Sequence, residues 1–169
     1  MMKFLNIFLL LFIACSGMIA CRTDDSPIQE IDQTLEIFVD SAGIDMLNKN
    51  LPLAYQSIIW NDINGLTDNT PVSYNLLKTT DTINYLQYIA GAKRILIDSS
   101  NLDKKLYQSK IAIKFSKPTP NAAVYVVNDT MVINYSFSPE RFQIDNVIYN
   151  NAQVFTKSVN GENKIKINK

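Results

Sequence analysis

Histidine is absent from this 169-residue sequence, and cysteine occurs only at Cys15 and Cys21, both inside the opening stretch. Without imidazole, and with no thiol beyond Cys21, ordinary zinc sites, thiol catalysis and His-based general-base chemistry are excluded from the bulk of the chain. No disulfide can form within residues 22–169, so stability there must come from apolar burial and strand pairing. Charge of neither sign dominates: 16 basic residues meet 16 acidic ones. Such a balance offers no basic face to nucleic acid, and no nucleic-acid partner is expected. A Ser-x-x-Lys nucleophile motif does not occur. Glu36, Glu140 and Glu162 are each isolated in sequence, whereas glycoside hydrolysis uses two carboxylates across a cleft. No catalytic residue and no cofactor is expected.

What the chain has is a strong opening. Lys3 precedes an apolar run over residues 4–20, broken only by Asn6, Ser16 and Gly17, and Cys21 is followed by polar Arg22-Thr23-Asp24-Asp25. A positive start, an apolar centre and small residues before a cut make a secretory signal. Met18-Ile19-Ala20-Cys21 resembles a bacterial lipobox, in which the cysteine becomes the lipid-bearing first residue. A plain signal peptide and a spanning anchor are the alternatives, but a spanning helix needs about 20 apolar residues. Cys15, after Phe12-Ile13-Ala14, is a rival lipobox. Cys21 is preferred because acylation at Cys15 would leave Met18-Ile19-Ala20 as an apolar scar. The expected division is a lipoprotein signal at 1–20, a lipidated Cys21 with an acidic tether over 21–33, and one β-sandwich domain over 34–169. The anchor makes the membrane the first partner, firmly so with more than one acyl chain.

From Thr34 onward the hydrophobic period is two. Leu35, Ile37 and Val39 alternate with Glu36, Phe38 and Asp40, predicting a strand that ends in a turn at Ser41-Ala42-Gly43. Residues 54–60 and 72–77 are further strand candidates, and Asn64-Gly65 is a hairpin signal. Residues 83–97 suit helix or strand, with strand preferred. Ile111, Ile113 and Phe115 alternate with Ala112 and Lys114. Residues 122–127 and 131–137 read as a pair joined through Asn128-Asp129, followed by strands at 142–149, 154–156 and 164–167. Short strands with frequent turns predict an all-β fold, a single antiparallel sandwich.

The stretch Asp40-Ser41-Ala42-Gly43-Ile44-Asp45-Met46-Leu47-Asn48 resembles the Gly-x-Asp-Leu-Leu-Asn motif of small Bacteroidetes-type lipoproteins with immunoglobulin-like sandwiches. Asp129-Thr130 and Val147-Ile148-Tyr149-Asn150 resemble a late strand and hairpin of the same proteins, with Asn151 in place of the turn Gly. The resemblance implies an immunoglobulin-like sandwich and an outer-membrane location. It implies no activity. The acidic opening after Cys21 resembles the export signals of such surface lipoproteins, so surface display is favoured over the periplasmic side.

Asp40, Gly43 and Asp45 could form a calcium corner; the preferred alternative is that both aspartates bond backbone amides in a turn. Asp62, Asn64 and Asp68 raise the same possibility with spacing that fits a hairpin better. Tyr55, Trp60, Tyr74, Tyr85 and Tyr88 could stack on sugar rings or hold a protein partner if exposed, and are core if buried, which is preferred. Asp40-Ser41-Ala42, Asp81-Thr82-Ile83 and Asp129-Thr130-Met131 resemble acceptor motifs for O-glycosylation, at Ser41, Thr82 and Thr130. The leading expectation is a non-catalytic envelope lipoprotein that binds a protein or glycan partner. A glycan-capture accessory or carbohydrate-active enzyme would instead show a cleft with paired carboxylates. A structural component pairing through an edge strand would show a long uncovered edge.

Overall fold

The structure, a computed structural model, describes residues 28–169 apart from 102, 122 and 160. The leader, Cys15 and the lipidation candidate Cys21 lie outside the described residues. Among those described, the chain forms strands and no helix: β1 Glu30–Asp32, β2 Leu35–Ser41, β3 Ile44–Asp45, β4 Ser57–Asp62, β5 Asn75–Lys78, β6 Asn84–Tyr88, β7 Ile95–Asp98, β8 Lys105–Pro118, β9 Val124–Phe137, β10 Arg141–Tyr149, β11 Ala152–Thr156 and β12 Lys164–Asn168. One sheet of seven runs β1-β10-β9-β8-β4, with β11 on β10 and β7 on β8; a sheet of five runs β12-β2-β6-β5, with β3 on β2.

Alternation explains how the sheets share a core. Leu35, Ile37 and Val39 are buried on β2, as are Leu86 and Tyr88 on β6 and Ile165 and Ile167 on β12. They meet Ile111, Ile113 and Phe115 of β8, Met131, Ile133 and Tyr135 of β9, and Ile144 and Val147 of β10 in one cluster. Period-two burial with polar residues between is what a sheet covered on one face produces. The ambiguous segment 83–97 resolves into β6 and β7, both strands.

Several expectations need correction. Among the described residues, the first strand already lies inside the expected tether: β1 pairs parallel with β10, and Arg141 bonds Glu30 through Nη2 at 2.6 Å. Asp32 is held harder, by Lys157 Nζ and by Asn163 Nδ2 at 2.7 Å. The sheets are also not purely antiparallel, since β12 pairs parallel with β2. Asn128-Asp129 makes no turn: residues 122–127 and 131–137 were expected to be two strands, and β9 is one continuous strand of 14 residues, paired with β8 throughout. Asn64-Gly65 forms no two-residue hairpin. Asp62 instead accepts the Asn64 N–H at 2.9 Å, and the chain returns to β4 only near Thr70, whose carbonyl accepts the Asp62 N–H at 2.8 Å.

The turn after β2 is as expected, and it carries strain. Ser41 pairs with Ile44, and both residues between have positive φ, 50° at Ala42 and 83° at Gly43. Glycine tolerates that region; alanine pays for its Cβ there. Replacing Ala42 by Asn, which creates the Asn-Gly pair such turns favour, should therefore stabilise the domain by about 0.5–1 kcal/mol. A thermal melt of Ala42→Asn against the parent checks it, with a higher midpoint expected.

Candidate functional site

Asp40 and Asp45, weighed as a calcium corner with Gly43, are turn caps, the preferred reading of the two. Asp40 Oδ1 accepts the Gly43 N–H at 2.9 Å, while its Oδ2 lies 3.4 Å from Lys166 Nζ. Asp45 Oδ1 accepts the Leu47 N–H at 2.9 Å, and its Oδ2 takes both the backbone and the side-chain N–H of Asn84, at 2.9 and 2.6 Å. Each aspartate fastens backbone that would otherwise lack a partner, the common use of Asp in turns. Among the described residues no group of three or more acidic, His or Cys side chains gathers as a metal site would require. Asp62 is likewise structural: it is 3 % exposed and its Oδ2 accepts the Lys93 N–H at 2.6 Å.

The aromatic candidates divide by burial. Tyr55, Trp60 and Tyr88 are core and cannot serve as platforms. Trp60 packs against Tyr74 and Tyr88 with ring centroids 5.0 and 5.8 Å away. Tyr74 is half-buried, and its hydroxyl donates to the Ile58 carbonyl at 2.8 Å. Only Tyr85 stands on an outer face. There it meets Phe38, centroid to centroid 5.4 Å, an apolar residue among the polar positions of β2.

That outer face, on the five-stranded sheet, is a candidate surface. Strand register sets Lys166 beside Phe38 and Leu77 beside Tyr85, so an apolar row crosses the sheet with a cation at one end. Phe38, Asp40, Gly43, Ile83 and Lys166 help to line a concavity of about 240 Å³. Next along β12, Lys164 bridges Glu162 at 2.7 Å and Glu36 at 3.3 Å. The hydrogen bonds that Lys164 donates to Glu162 and Glu36 push its ammonium up from its ordinary value. The fold thus brings together two glutamates that sequence kept apart, around a lysine rather than across a cleft. Glu140 remains exposed, and its carbonyl accepts the Glu30 N–H.

A further buried polar cluster centres on Asp129, a residue the Asn-Asp turn signal places between strands. Asp129 is 6 % exposed in the middle of β9. Its Oδ2 accepts the Tyr149 hydroxyl at 2.7 Å and is also bonded by Lys169 Nζ, and its Oδ1 accepts Asn150 Nδ2 at 2.6 Å. Burial opposes ionisation, but the bonds from Lys169, Asn150 and Tyr149 outweigh it and hold the carboxyl below its usual range. Burial, and then the bond to Asp129, push the Tyr149 phenol up, so it stays a donor. Lys169 Nζ also lies over the rings of Phe115 and Tyr149, at 5.3 and 5.2 Å.

Of the glycosylation candidates, Thr82 is exposed in a turn with φ 66°, and Thr130 is exposed on β9. The Ser41 hydroxyl is engaged, donating to the Lys169 carbonyl at 2.5 Å. Comparison of the chain with protein-family models, with curated proteins and with solved structures finds no match.

Proposed function

We propose that the chain is a lipid-anchored cell-envelope protein, held through Cys21, whose immunoglobulin-like sandwich binds a partner without transforming it. The observation that carries this reading is how the polar groups are used. Asp45, Asp62 and Asp129 spend their oxygens on backbone and side-chain bonds within the fold. The apolar row through Phe38 and Tyr85 meanwhile lies on an outer face with charged neighbours at its end. An aromatic centre with a charged rim is the anatomy of a recognition surface.

Attachment geometry supports the same reading. The tether enters at β1 beside Arg141, near the β9–β10 hairpin. The far end of β9, at Val124, is about 40 Å away at roughly 3.3 Å per residue. The hairpin tip between β8 and β9 is therefore well separated from the anchored end.

Replacing Cys21 by Ala should move the product from the membrane fraction to the soluble fraction of the producing bacterium. Mass spectrometry of the parent should find acyl chains on Cys21. A product free in the cytosol with its leader intact, or lipid on Cys15 alone, would refute the anchorage. A glycan is the partner class favoured by the concavity, because a sugar ring can stack on Phe38 while Asp40 and Lys166 reach its hydroxyls. Titration with oligosaccharides, lost in Phe38→Ala, tests that choice against a protein partner.

A further inference from the structure

The sheet edges of this domain are unequally protected. Natural proteins guard open edges with charges, Pro or bulges because an unpaired strand templates another. Here β12 carries Lys164 and Lys166, β5 ends in Lys78, and β1 carries Glu30 and Asp32. The pairings of β7 and β11 each contain a register break. The first part of β9 has none of these. Residues 124–128 read Val-Tyr-Val-Val-Asn, and Val124, Tyr125 and Val126 are 67, 51 and 40 % exposed.

The backbone of this segment is open on one side. β8 pairs with β9 over its whole length, whereas β10 pairs only with Met131 to Phe137. At the limit of that pairing, the Asn150 N–H donates to the Thr130 carbonyl at 2.9 Å and the Thr130 N–H to Asn150 Oδ1 at 2.8 Å. Strand groups alternate in direction, so Asn128, Val126 and Val124 turn their N–H and C=O to the same side as Thr130. Among the described residues no segment pairs with them there.

We propose that this edge takes a second copy of the chain, antiparallel and in a register centred on Val126, as a closed two-fold dimer. The proposal deepens the reading that the domain works by binding, and rests on it. In that register Val126 faces Val126, Val124 faces Asn128, and Tyr125 faces Val127, so every open donor meets an open acceptor. The side chains match as well as the backbone. Valine and tyrosine pairs across strands are favourable, and like charges directly opposite are not. Lys114 and Lys117 flank the segment, next to Asn128 and Tyr125 on β8. The two-fold places them against the neighbours of Val124 and Val127, which are Pro118 and Phe115. No lysine faces a lysine. A two-fold contact of one patch with itself closes and leaves no strand free to propagate.

Sedimentation of the full chain in detergent micelles, from micromolar to submillimolar concentration, tests this with two variants. Val126→Pro removes an N–H that points outward, the one place in a strand where Pro costs no internal bond. Val126→Lys places a charge on the edge and decides the matter if the Pro variant fails to fold. The parent should shift from monomer to dimer with concentration, and both variants should associate more than about tenfold more weakly with a melting midpoint close to the parent's. A parent that stays monomeric throughout, even with a foreign polypeptide bound at the edge, overturns the proposal. So does a dimer that both variants leave intact. Anchorage is read separately through Cys21: a lipidated monomer overturns the pairing alone, and an unlipidated dimer overturns the anchorage alone.

Discussion

Asp129→Ala should lower the unfolding free energy by about 3–5 kcal/mol, the range for removing one partner of a buried ion pair. The side chains of Asp129 and Lys169 are 3 and 13 % exposed. Without the carboxylate, Lys169 keeps its charge against the rings of Phe115 and Tyr149, while the Tyr149 hydroxyl and the Asn150 amide lose their acceptor. Urea denaturation followed by far-UV circular dichroism reads the loss as a lower midpoint. The Lys169→Met change in the Asp129→Asn background should recover part of it, because the stranded charge is then gone. If Asp129→Ala unfolds within 1 kcal/mol of the parent, the cluster is not the fastening it is taken to be.

The same cluster sets an acid limb. Asp129 is held below the ordinary carboxylate range in the folded protein, so the unfolded chain takes up its proton first. The stability it contributes is fully present above the ordinary value of about 3.9 and is lost as pH falls through the depressed folded value. Below about pH 4 the parent should therefore lose stability more steeply than Asp129→Asn.

Asp129 is held in its strand by bonds that local sequence does not carry. Asn and Asp mark turns through their local bonds, and Asn128-Asp129 sits between two well-patterned runs. The bonds that hold Asp129 in a strand come instead from Tyr149, Asn150 and Lys169, far along the chain. Asn64-Gly65 misleads for a related reason: Asp62, whose second oxygen takes the Lys93 N–H, caps the turn and widens it. Local periodicity, by contrast, recovers the inward faces of β2 and β8 correctly, because burial on one side of a sheet leaves its period in the residues themselves. The outer-face site left a fainter mark. Phe38 is apolar in the register of Glu36 and Asp40, a single break in alternation, and it packs there against Tyr85. The open edge of β9 was visible only as an uncharged run, since which edges lie bare is a property of topology. The parallel pairings of β1 and β12 were equally hidden, as nothing in a strand's own residues names its partner.

Trp60→Ala should cost about 3–5 kcal/mol, for a reason that differs from the Asp129 cluster. Trp60 is 1 % exposed and lies on β4, in the larger sheet. Its ring reaches Tyr88 of β6, in the smaller sheet, as well as Tyr74. The side chain is thus a joint between the sheets, and truncating it opens a cavity where the two must hold together. Trp60→Phe should cost less than half as much. It keeps an aromatic ring against Tyr74 and Tyr88, and it removes an indole N–H that finds no acceptor among the described residues. An unpaired buried donor carries a penalty of about 1–3 kcal/mol, and relief of that penalty offsets part of the lost volume. Urea denaturation of the two variants separates these terms: if both lose equal stability, the indole N–H has a partner and the ring's contribution is not packing alone.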